Sequence, residues 1–417
     1  MASIVPFRGL RPFPEKARAV AAPPYDVLNS AEARVLAEGN PFTFLHVNKP
    51  EIDLDPAVNL YDDAVYAKGA ENFRRMQAEG VLVRDPVPSF YLYRQKMRIG
   101  ERDHVQVGLM AGASVAEYEA DLIKKHELTR ADKEADRTRH VEELNANAGP
   151  VFLTYRAMPE IDATVARLAG RAPAVDFVAD DGIGHTLWVV DDPADVERLT
   201  GLFARIPCLY VADGHHRSAS AVTYGRKRRE ANPDHTGTES YNHFMAVLFP
   251  HDQLYIMDYN RVVLDLNGLT GEAFLGRVGE KFEVAPASDP RPGRATEFCM
   301  YLGGKWYRLT ARPGTFNAAD PVAGLDVAIL QGNLLAPILG IGDPRLDKRI
   351  DFVGGIRGAR ELERRVDGQG TGVAFAMFPT SIEQLMAIAD AGAIMPPKST
   401  WFEPKLRSGV VVRSYDE

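Results

Sequence analysis

The segment Asp213-Gly214-His215-His216-Arg217 constrains the chain most, because a strand-like run precedes it and a helix-like run follows it. Residues 206–212 are mostly apolar, which predicts a buried strand. Gly214 allows a tight turn, and the small residues from Ser218 onward predict a helix that begins there. The N–H groups and positive dipole end of this helix, together with two imidazoles and a guanidinium, predict a phosphate-binding site.

Two other interpretations of this turn start from the same residues. A pair of histidines is also typical of a solvated or hydrogen-bonded corner, and the residue pattern leaves that alternative open. Zinc is a further use of His, Asp and Glu, but the chain has neither a His-x-x-x-His helix face nor a cysteine pair to complete a tetrahedron. We therefore expect no metal cage made by the protein alone.

Composition places the chain among globular proteins. Its 417 residues are 45% hydrophobic and 25% charged, which is enough for two or three domains. The net charge of −8 disfavours nonspecific binding to nucleic acid or to a membrane surface. Cys208 and Cys299 are the only cysteines, so we expect no disulfide framework. No apolar run approaches the ~20 residues of a membrane span, and the sequence predicts a cytoplasmic protein.

Strand-like and helix-like runs alternate along the chain, and hairpin signals outnumber β-α-β units. This pattern predicts an α+β or mixed α/β fold rather than a doubly wound sheet. The runs expected as strands include 42–47, 90–97, 105–115 and 373–378, and those expected as helices include 59–78, 129–145 and 381–391. Neither a P-loop nor a Gly-x-Gly-x-x-Gly motif occurs.

A second candidate element is the pair His126-Glu127, which ends a predicted strand. A carboxylate beside a hydroxyl can take its proton during phosphoryl transfer, so Glu127 is a candidate general base. The charged helix that follows offers Arg130, Lys133 and Arg137 as cations that could reach a substrate. A solvated helix face is the alternative interpretation of these three residues.

The third candidate element is the irregular stretch 395–409, where cations, hydroxyls and aromatic residues occur together. Cations suit a carboxylate and hydroxyls can orient a small zwitterion, so this stretch is a candidate substrate site. The alternative is a proline-stiffened surface loop with Trp401 and Phe402 tucked into the core.

Four motifs in this order resemble the free serine kinases of the ParB/sulfiredoxin-like fold. They are His126-Glu127, the turn from Asp213 to Arg217, Pro379-Thr380-Ser381-Ile382-Glu383-Gln384-Leu385-Met386, and Pro397-Lys398-Ser399-Thr400. Over nearly its full length the chain also resembles a bacterial family known as domain of unknown function 1015. The motifs that indicate this family include Ala22-Pro23-Pro24-Tyr25-Asp26-Val27 and Ile123-Lys124-Lys125-His126-Glu127.

The kinase resemblance implies a nucleotide-dependent phosphotransferase that interconverts L-serine and O-phosphoserine with ADP or ATP and Mg²⁺. It implies that Glu127, with His126 beside it, is the base and that Asp213 organises the reacting phosphate or a Mg²⁺. The residues implied for the nucleotide phosphates are Gly214, His215, His216, Arg217 and Ser218, and those implied for the amino acid are Lys398, Ser399 and Thr400. The kinases continue with Arg-His where this chain has Trp401-Phe402, so Lys405 and Arg407 are expected to supply the missing cation.

These expectations divide the chain into four segments. They are an N-terminal α+β region (1–117), a ParB/sulfiredoxin-like nucleotide-binding core (118–230), an additional α+β region (231–368) and a C-terminal segment completing the substrate site (369–417). The competing function is a ParB-like nucleotide-binding regulator acting on DNA or a protein partner, and a catalytically silent scaffold is a third alternative. We expect small-molecule partners, with no membrane and no nucleic acid among them. A homodimer is compatible with the sequence.

Overall fold

A computed structural model describes residues 1–416 of the chain and divides it into two compact units. The first unit contains Met1–Leu254 together with the residues from Pro404 onward, and the second contains Tyr255–Glu403. The boundaries differ from the four expected segments because strands from residues 1–117 and 118–230 share one sheet. Backbone pairing therefore joins the expected N-terminal region to the expected nucleotide-binding core.

The strands are short to medium in length and occur in both units. In chain order they are β1 Ile4–Val5, β2 Leu10–Pro12, β3 Leu82–Arg84, β4 Phe90–Ile99, β5 Arg102–Ser114, β6 Ile123–Lys124, β7 Ala146–Asn147, β8 Val151–Tyr155, β9 Val175–Val178, β10 Gly184–Val190, β11 Leu209–Asp213, β12 His243–Pro250, β13 Tyr255–Met257, β14 Tyr259–Val263, β15 Phe282–Pro286, β16 Glu297–Leu302, β17 Lys305–Ala311, β18 Ile350–Gly354, β19 Val373–Met377, β20 Trp401–Glu403 and β21 Arg413–Ser414.

The helices lie between these strands. They are α1 Pro14–Val20, α2 Ser30–Ala37, α3 Leu45–Asn48, α4 Asp63–Ala78, α5 Val115–Glu119, α6 Ala131–Leu144, α7 Pro159–Ala169, α8 Pro193–Phe203, α9 His215–Ala231, α10 Gly271–Lys281, α11 Asp326–Leu330, α12 Ala359–Gln369 and α13 Ile382–Asp390. Within the described residues, no helix has the length and apolar character needed to cross a membrane. The expected mixed α/β class is confirmed, whereas the ParB/sulfiredoxin-like assignment of the core stays a prediction.

A nine-stranded mixed sheet forms the centre of the first unit. Its order is β6-β11-β8-β12-β5-β4-β10-β9, and β1 pairs with β5 beyond this path. The strands β6 and β11 are parallel, as are β8 and β12, while the other neighbouring pairs are antiparallel. A large apolar core that includes Ile123, Leu209 and Val211 covers the sheet. Burial of this core supplies the main stabilising free energy of the unit.

The C-terminal segment is part of the first unit because its backbone pairs with that unit at three places. Strand β21 pairs with β7, Leu10 forms a bridge with Val412, and Ala22 forms one with Ser408. These bonds fix residues 404–414 beside the N-terminal segment.

The second unit has its own antiparallel sheet, in the order β15-β17-β16-β19-β14-β18, and a separate pair formed by β13 and β20. The helix α12 packs on this sheet through Leu362 and Val366, which are buried with Cys299 and Val262. The hairpin expected around Gly303-Gly304 is present between β16 and β17.

One expected strand is wrong. Residues 42–47 form a turn followed by α3, although their apolar residues alternate well enough for a strand. The N–H of Phe44 bonds the Val20 carbonyl, and the helical turn then lets Phe44, Leu45 and Val47 enter one core. Packing against the N-terminal segment outweighs the local strand propensity here.

Candidate functional site

The pairing of β6 with β11 brings two of the sequence motifs together. These strands are parallel and in register, with Leu209 opposite Ile123 and Tyr210 opposite Lys124. The segments that follow them therefore leave the sheet at the same edge. As a result, Glu127 Oε2 lies 3.9 Å from His215 Nδ1.

The turn after β11 is built on the backbone conformation of Gly214. Its φ of 91° lies in the left-handed region, which glycine adopts without the cost that a side chain adds. The N–H of Gly214 donates to Asp213 Oδ1 at 2.8 Å, and its carbonyl accepts the first helical bond, from the Ser218 N–H. The turn thus ends where α9 begins.

The helix α9 begins at His215, so the expectation that it starts at Ser218 is wrong. His215, His216 and Arg217 form its first turn instead of a loop before it. The small residues from Ser218 onward are buried and serve packing. An alanine Cβ at Gly225, for example, would lie 2.6 Å from the Tyr241 carbonyl oxygen. The histidines are consequently carried at the positive end of the helix dipole.

Ser218 is fully buried and is not placed to contact a ligand with its hydroxyl. That hydroxyl donates within the helix, to the carbonyls of Gly214 at 3.3 Å and His215 at 3.0 Å. The hydroxyl of Ser218 thus stabilises the first turn of α9, and the expected place of Ser218 at a phosphate stays a prediction.

His126 and His215 form a buried pair of imidazoles behind Glu127. His126 is 2% exposed and His215 is 5% exposed, and their rings pack edge to face with centroids 4.4 Å apart. Burial lowers the pKa of His215 to about 4. Burial, and then the neighbouring His215, hold the pKa of His126 well below its ordinary value. Both rings are therefore neutral at pH 7.

Asp213 is paired with a lysine from the C-terminal segment. Lys405 Nζ lies 2.8 Å from Asp213 Oδ2, and Gln95 donates to the Lys405 carbonyl and so fixes its backbone. Burial acts to raise the pKa of Asp213, but the cations of Lys405 and Arg217 outweigh it and keep that pKa below its ordinary value. Lys405, expected at the substrate, is thus part of the site through Asp213.

Arg217 contacts residues that the sequence did not assign to the site. Its NH2 group donates to both carboxylate oxygens of Asp26, at 2.7 and 2.8 Å, and its NH1 donates to the Pro150 carbonyl. The Tyr25 ring lies 5.4 Å from this guanidinium and 4.1 Å from that of Arg137. The signal for this contact was present in the motif Pro23-Pro24-Tyr25-Asp26, which carries a family resemblance but no obvious chemistry.

The remaining cations of the charged helix separate into distinct environments. The Arg130 N–H donates to His216 Nε2 at 3.0 Å, while its side chain pairs with Asp132. Lys133 donates to the hydroxyl of Tyr61. Arg137 pairs with Asp136 and stacks on Tyr25. Of the three expected cations, it is the one with a described contact to a residue that also contacts Arg217.

Arg407 belongs to a different cluster of the first unit. It pairs with Asp181, and its Nε lies 3.4 Å from His185 Nε2. His185 Nδ1 in turn lies 2.7 Å from the Tyr93 hydroxyl. The Asp181 carboxylate pairs with its guanidinium, and a role of Arg407 at a substrate carboxylate stays a prediction.

The expected substrate residues Lys398, Ser399 and Thr400 lie in the second unit. The Lys398 carbonyl accepts from Arg261, and the Ser399 hydroxyl donates to the Pro396 carbonyl at 2.6 Å. The structure therefore groups this loop with residues of its own unit. Phe402 is 1% exposed, as the alternative of aromatic residues tucked into the core predicts, whereas Trp401 is only half-buried.

Three side chains of the site form a set that could hold a metal ion. One ligand atom each from His126, Glu127 and His215 lies within 4.8 Å of the other two. No metal cage was expected from the sequence, because the ligands of this cluster come from two distant segments with no ligand spacing in common.

Comparison with solved structures gives remote similarities. A point mutant of a free serine kinase in complex with ADP is 13% identical with a TM-score of 0.34, over 71% of this chain and 87% of that one. A conserved hypothetical protein from Pyrococcus furiosus is 13% identical with a TM-score of 0.35, over 74% and 96%. SbnI from Staphylococcus aureus, truncated at its C-terminus, is 12% identical with a TM-score of 0.36, over 70% and 82%.

Comparison with curated proteins gives no match. A family model, by contrast, matches residues 4–328, which cover most of the chain and include both His126-Glu127 and the turn at Gly214. The expected family is confirmed: the chain belongs to the family described as "Protein of unknown function (DUF1015)".

Proposed function

We propose that this protein is a phosphotransferase that uses ADP or ATP and acts on an alcohol group of a small molecule, with L-serine and O-phosphoserine as the first pair to test. The observation that carries the proposal is the position of the Glu127 carboxylate, 3.9 Å from His215 Nδ1 at the N-terminus of α9. A base and an anion site thus lie side by side. The order of the four sequence motifs supports the choice of reaction and substrate.

In the proposed reaction, the N-terminus of α9 and Arg217 hold the nucleotide phosphates. A helix N-terminus binds phosphate through its amides and its dipole, and a guanidinium adds charge. Glu127 takes the proton of the acceptor hydroxyl as the new O–P bond forms. The bond between the transferred phosphorus and the nucleotide oxygen breaks, and the shortened nucleotide leaves with the electron pair.

Glu127 suits the role of base because its side chain is 36% exposed and is therefore open to a substrate. His215, neutral through burial, can donate a hydrogen bond to a phosphate oxygen without adding charge.

Asp213 does not suit a magnesium site of its own. One of its oxygens accepts from Gly214 and the other from Lys405, which already neutralises the carboxylate. Mg²⁺ commonly binds through few carboxylates and the substrate phosphates. In this proposal Mg²⁺ arrives with the nucleotide, and Asp213 positions Lys405 and the Gly214 turn.

The direct test is to incubate the full-length protein with Mg²⁺ and each nucleotide, with L-serine or with O-phosphoserine, and to measure phosphoserine and nucleotide by mass spectrometry. Glu127→Gln should lower kcat by about 10²–10⁴-fold, the usual contribution of a general base, with nucleotide affinity nearly unchanged. Glu160→Gln is the matched control, because Glu160 pairs with Arg205 on another part of the unit and should retain activity.

Full activity in Glu127→Gln would contradict the assigned base. Nucleotide binding without transfer to serine or to other hydroxy acids would instead favour the nucleotide-binding regulator. A nucleotide-stimulated, salt-dependent shift of DNA would then be the next measurement.

A further inference from the structure

The imidazoles of His126 and His215, which lie beside Glu127, contain three buried ring nitrogens. Both ring nitrogens of His126 and Nε2 of His215 are buried and form no hydrogen bond of normal geometry with the described residues. The backbone of Val211 is the polar group beside the His126 ring. Buried polar groups in native proteins almost always have a partner. Three such nitrogens on adjoining rings therefore point to a bound species.

The charge of the cluster favours a cation as that species. Glu127 Oε2 lies 3.9 Å from His215 Nδ1, so its negative charge would attract a cation bound between these two side chains. Asp213 also lies near both rings, but Lys405 neutralises its charge, and Lys125 adds one positive charge near His215. The Glu127 carboxylate is therefore the charge that would attract a cation among the three ligands.

The ligand chemistry narrows the cation to a transition metal. Imidazole nitrogen suits Zn²⁺ and its neighbours, whereas Mg²⁺ and Ca²⁺ prefer oxygen ligands. Two histidines and one glutamate form a known three-ligand set for Zn²⁺ with an open fourth position. At Zn–ligand distances of about 2.0–2.2 Å, tetrahedral ligand atoms lie roughly 3.3–3.6 Å apart, so ligand atoms now within 4.8 Å of one another would have to close by about 1–1.5 Å.

We propose that His126, Glu127 and His215 bind one divalent transition metal ion, with Zn²⁺ as the best fit, and that the bound ion switches the site off. The second part rests on the proposed function, because an oxygen of Glu127 that is bonded to a metal cannot take a proton from an acceptor. The same residues would thus alternate between a base and a metal ligand.

The binding test uses the full-length protein, freed of metal with a chelator that is then removed, and needs neither nucleotide nor serine. Titration with Zn²⁺ should show one equivalent bound, and titration with Co²⁺ should give the visible absorption of a low-coordinate site with histidine ligands. His126→Gln, His215→Gln and Glu127→Gln should each weaken binding by at least tenfold, a typical result when one ligand of a site is lost.

His185→Gln is the matched control, since His185 is also buried but belongs to the Tyr93 and Arg407 cluster. It should bind Zn²⁺ like the wild type, and circular dichroism should show that every variant used is folded. Absence of the one-equivalent site in the wild type, or unchanged binding in folded His215→Gln, would overturn the metal site. The metal site would also be overturned if inorganic phosphate raised the melting temperature of the protein and Zn²⁺ did not.

The inhibition test separates the two proposals. With Mg²⁺ and nucleotide present, one equivalent of Zn²⁺ should abolish phosphoryl transfer in the wild type. Transfer that continues at full rate with the Zn²⁺ site filled would overturn the switch and leave the transferase proposal standing. A filled Zn²⁺ site in a protein that shows no transfer with Mg²⁺ and nucleotide in the absence of Zn²⁺ would refute the transferase and leave the metal site standing.

Discussion

Replacing Gly214 by alanine tests whether the turn before α9 depends on a left-handed residue. A Cβ at this position would lie 3.7 Å from its nearest neighbours, Arg217 Cδ and Val151 Cα, which is ordinary van der Waals contact. The cost is therefore conformational and not steric. With φ at 91°, an L-residue lowers the free energy of unfolding by about 1–2 kcal/mol. Alanine also restricts the unfolded chain, which raises that free energy by roughly 0.4–1 kcal/mol.

The expected net loss of unfolding free energy in Gly214→Ala is therefore about 1 kcal/mol. Gly201→Ala provides the matched control, because Gly201 lies exposed in α8 with no atom near its would-be Cβ and no positive φ. That variant should be stabilised by about 0.5–1 kcal/mol. The two variants should differ by roughly 2 kcal/mol, which is about 30-fold in the unfolding equilibrium constant.

The assay is denaturant unfolding of the full-length protein at pH 7, followed by far-ultraviolet circular dichroism. Gly214→Asn adds a graded step, because asparagine tolerates the left-handed region better than alanine does and should fall between glycine and alanine. Equal stability of Gly214→Ala and Gly201→Ala would refute the claim that the left-handed backbone conformation at position 214 favours glycine. A loss above about 4 kcal/mol in Gly214→Ala would show that contacts, and not φ, set the cost.

Two further predictions concern charges around the turn and the neighbouring cluster. Asp26→Asn should lower the free energy of unfolding by about 1 kcal/mol, because Arg217 loses the carboxylate that accepts from its Nη2, yet raise affinity for inorganic phosphate about fivefold. Weaker phosphate binding by isothermal titration calorimetry would contradict this. Burial, and then Arg407, lower the pKa of His185 to about 3, whereas an unfolded histidine titrates near 6.5. The unfolded state therefore gains the proton first, and stability falls as the pH drops below about 6.5. Wild type should lose about 2.5 kcal/mol more than His185→Gln between pH 7 and pH 4.5, and parallel unfolding curves for the two proteins would contradict the assignment.

The local signals in the sequence were strong where one segment decides its own structure. The strand and glycine turn around Gly214, the capped helix α13 from Ile382 and the hairpin at Gly303-Gly304 all follow from short runs of residues. Turn and cap preferences act over a few residues, so one sequence is enough to indicate them. The predicted start of α9 was three residues too late. The small residues from Ser218 onward resemble a helix start in the sequence, but in the structure they are buried and allow close packing.

The sequence alone predicted the turn, its anion-binding character and the mixed α/β class, since these depend on backbone propensity and local charge. Only the tertiary structure decided which residues share the site. Parallel pairing of β6 with β11 placed Glu127 and His126 beside His215, and the returning C-terminus paired Lys405 with Asp213. It also showed Arg217 held by Asp26. Such contacts join segments far apart in the chain, and their partners follow from strand order and register, which spacing along one sequence does not encode.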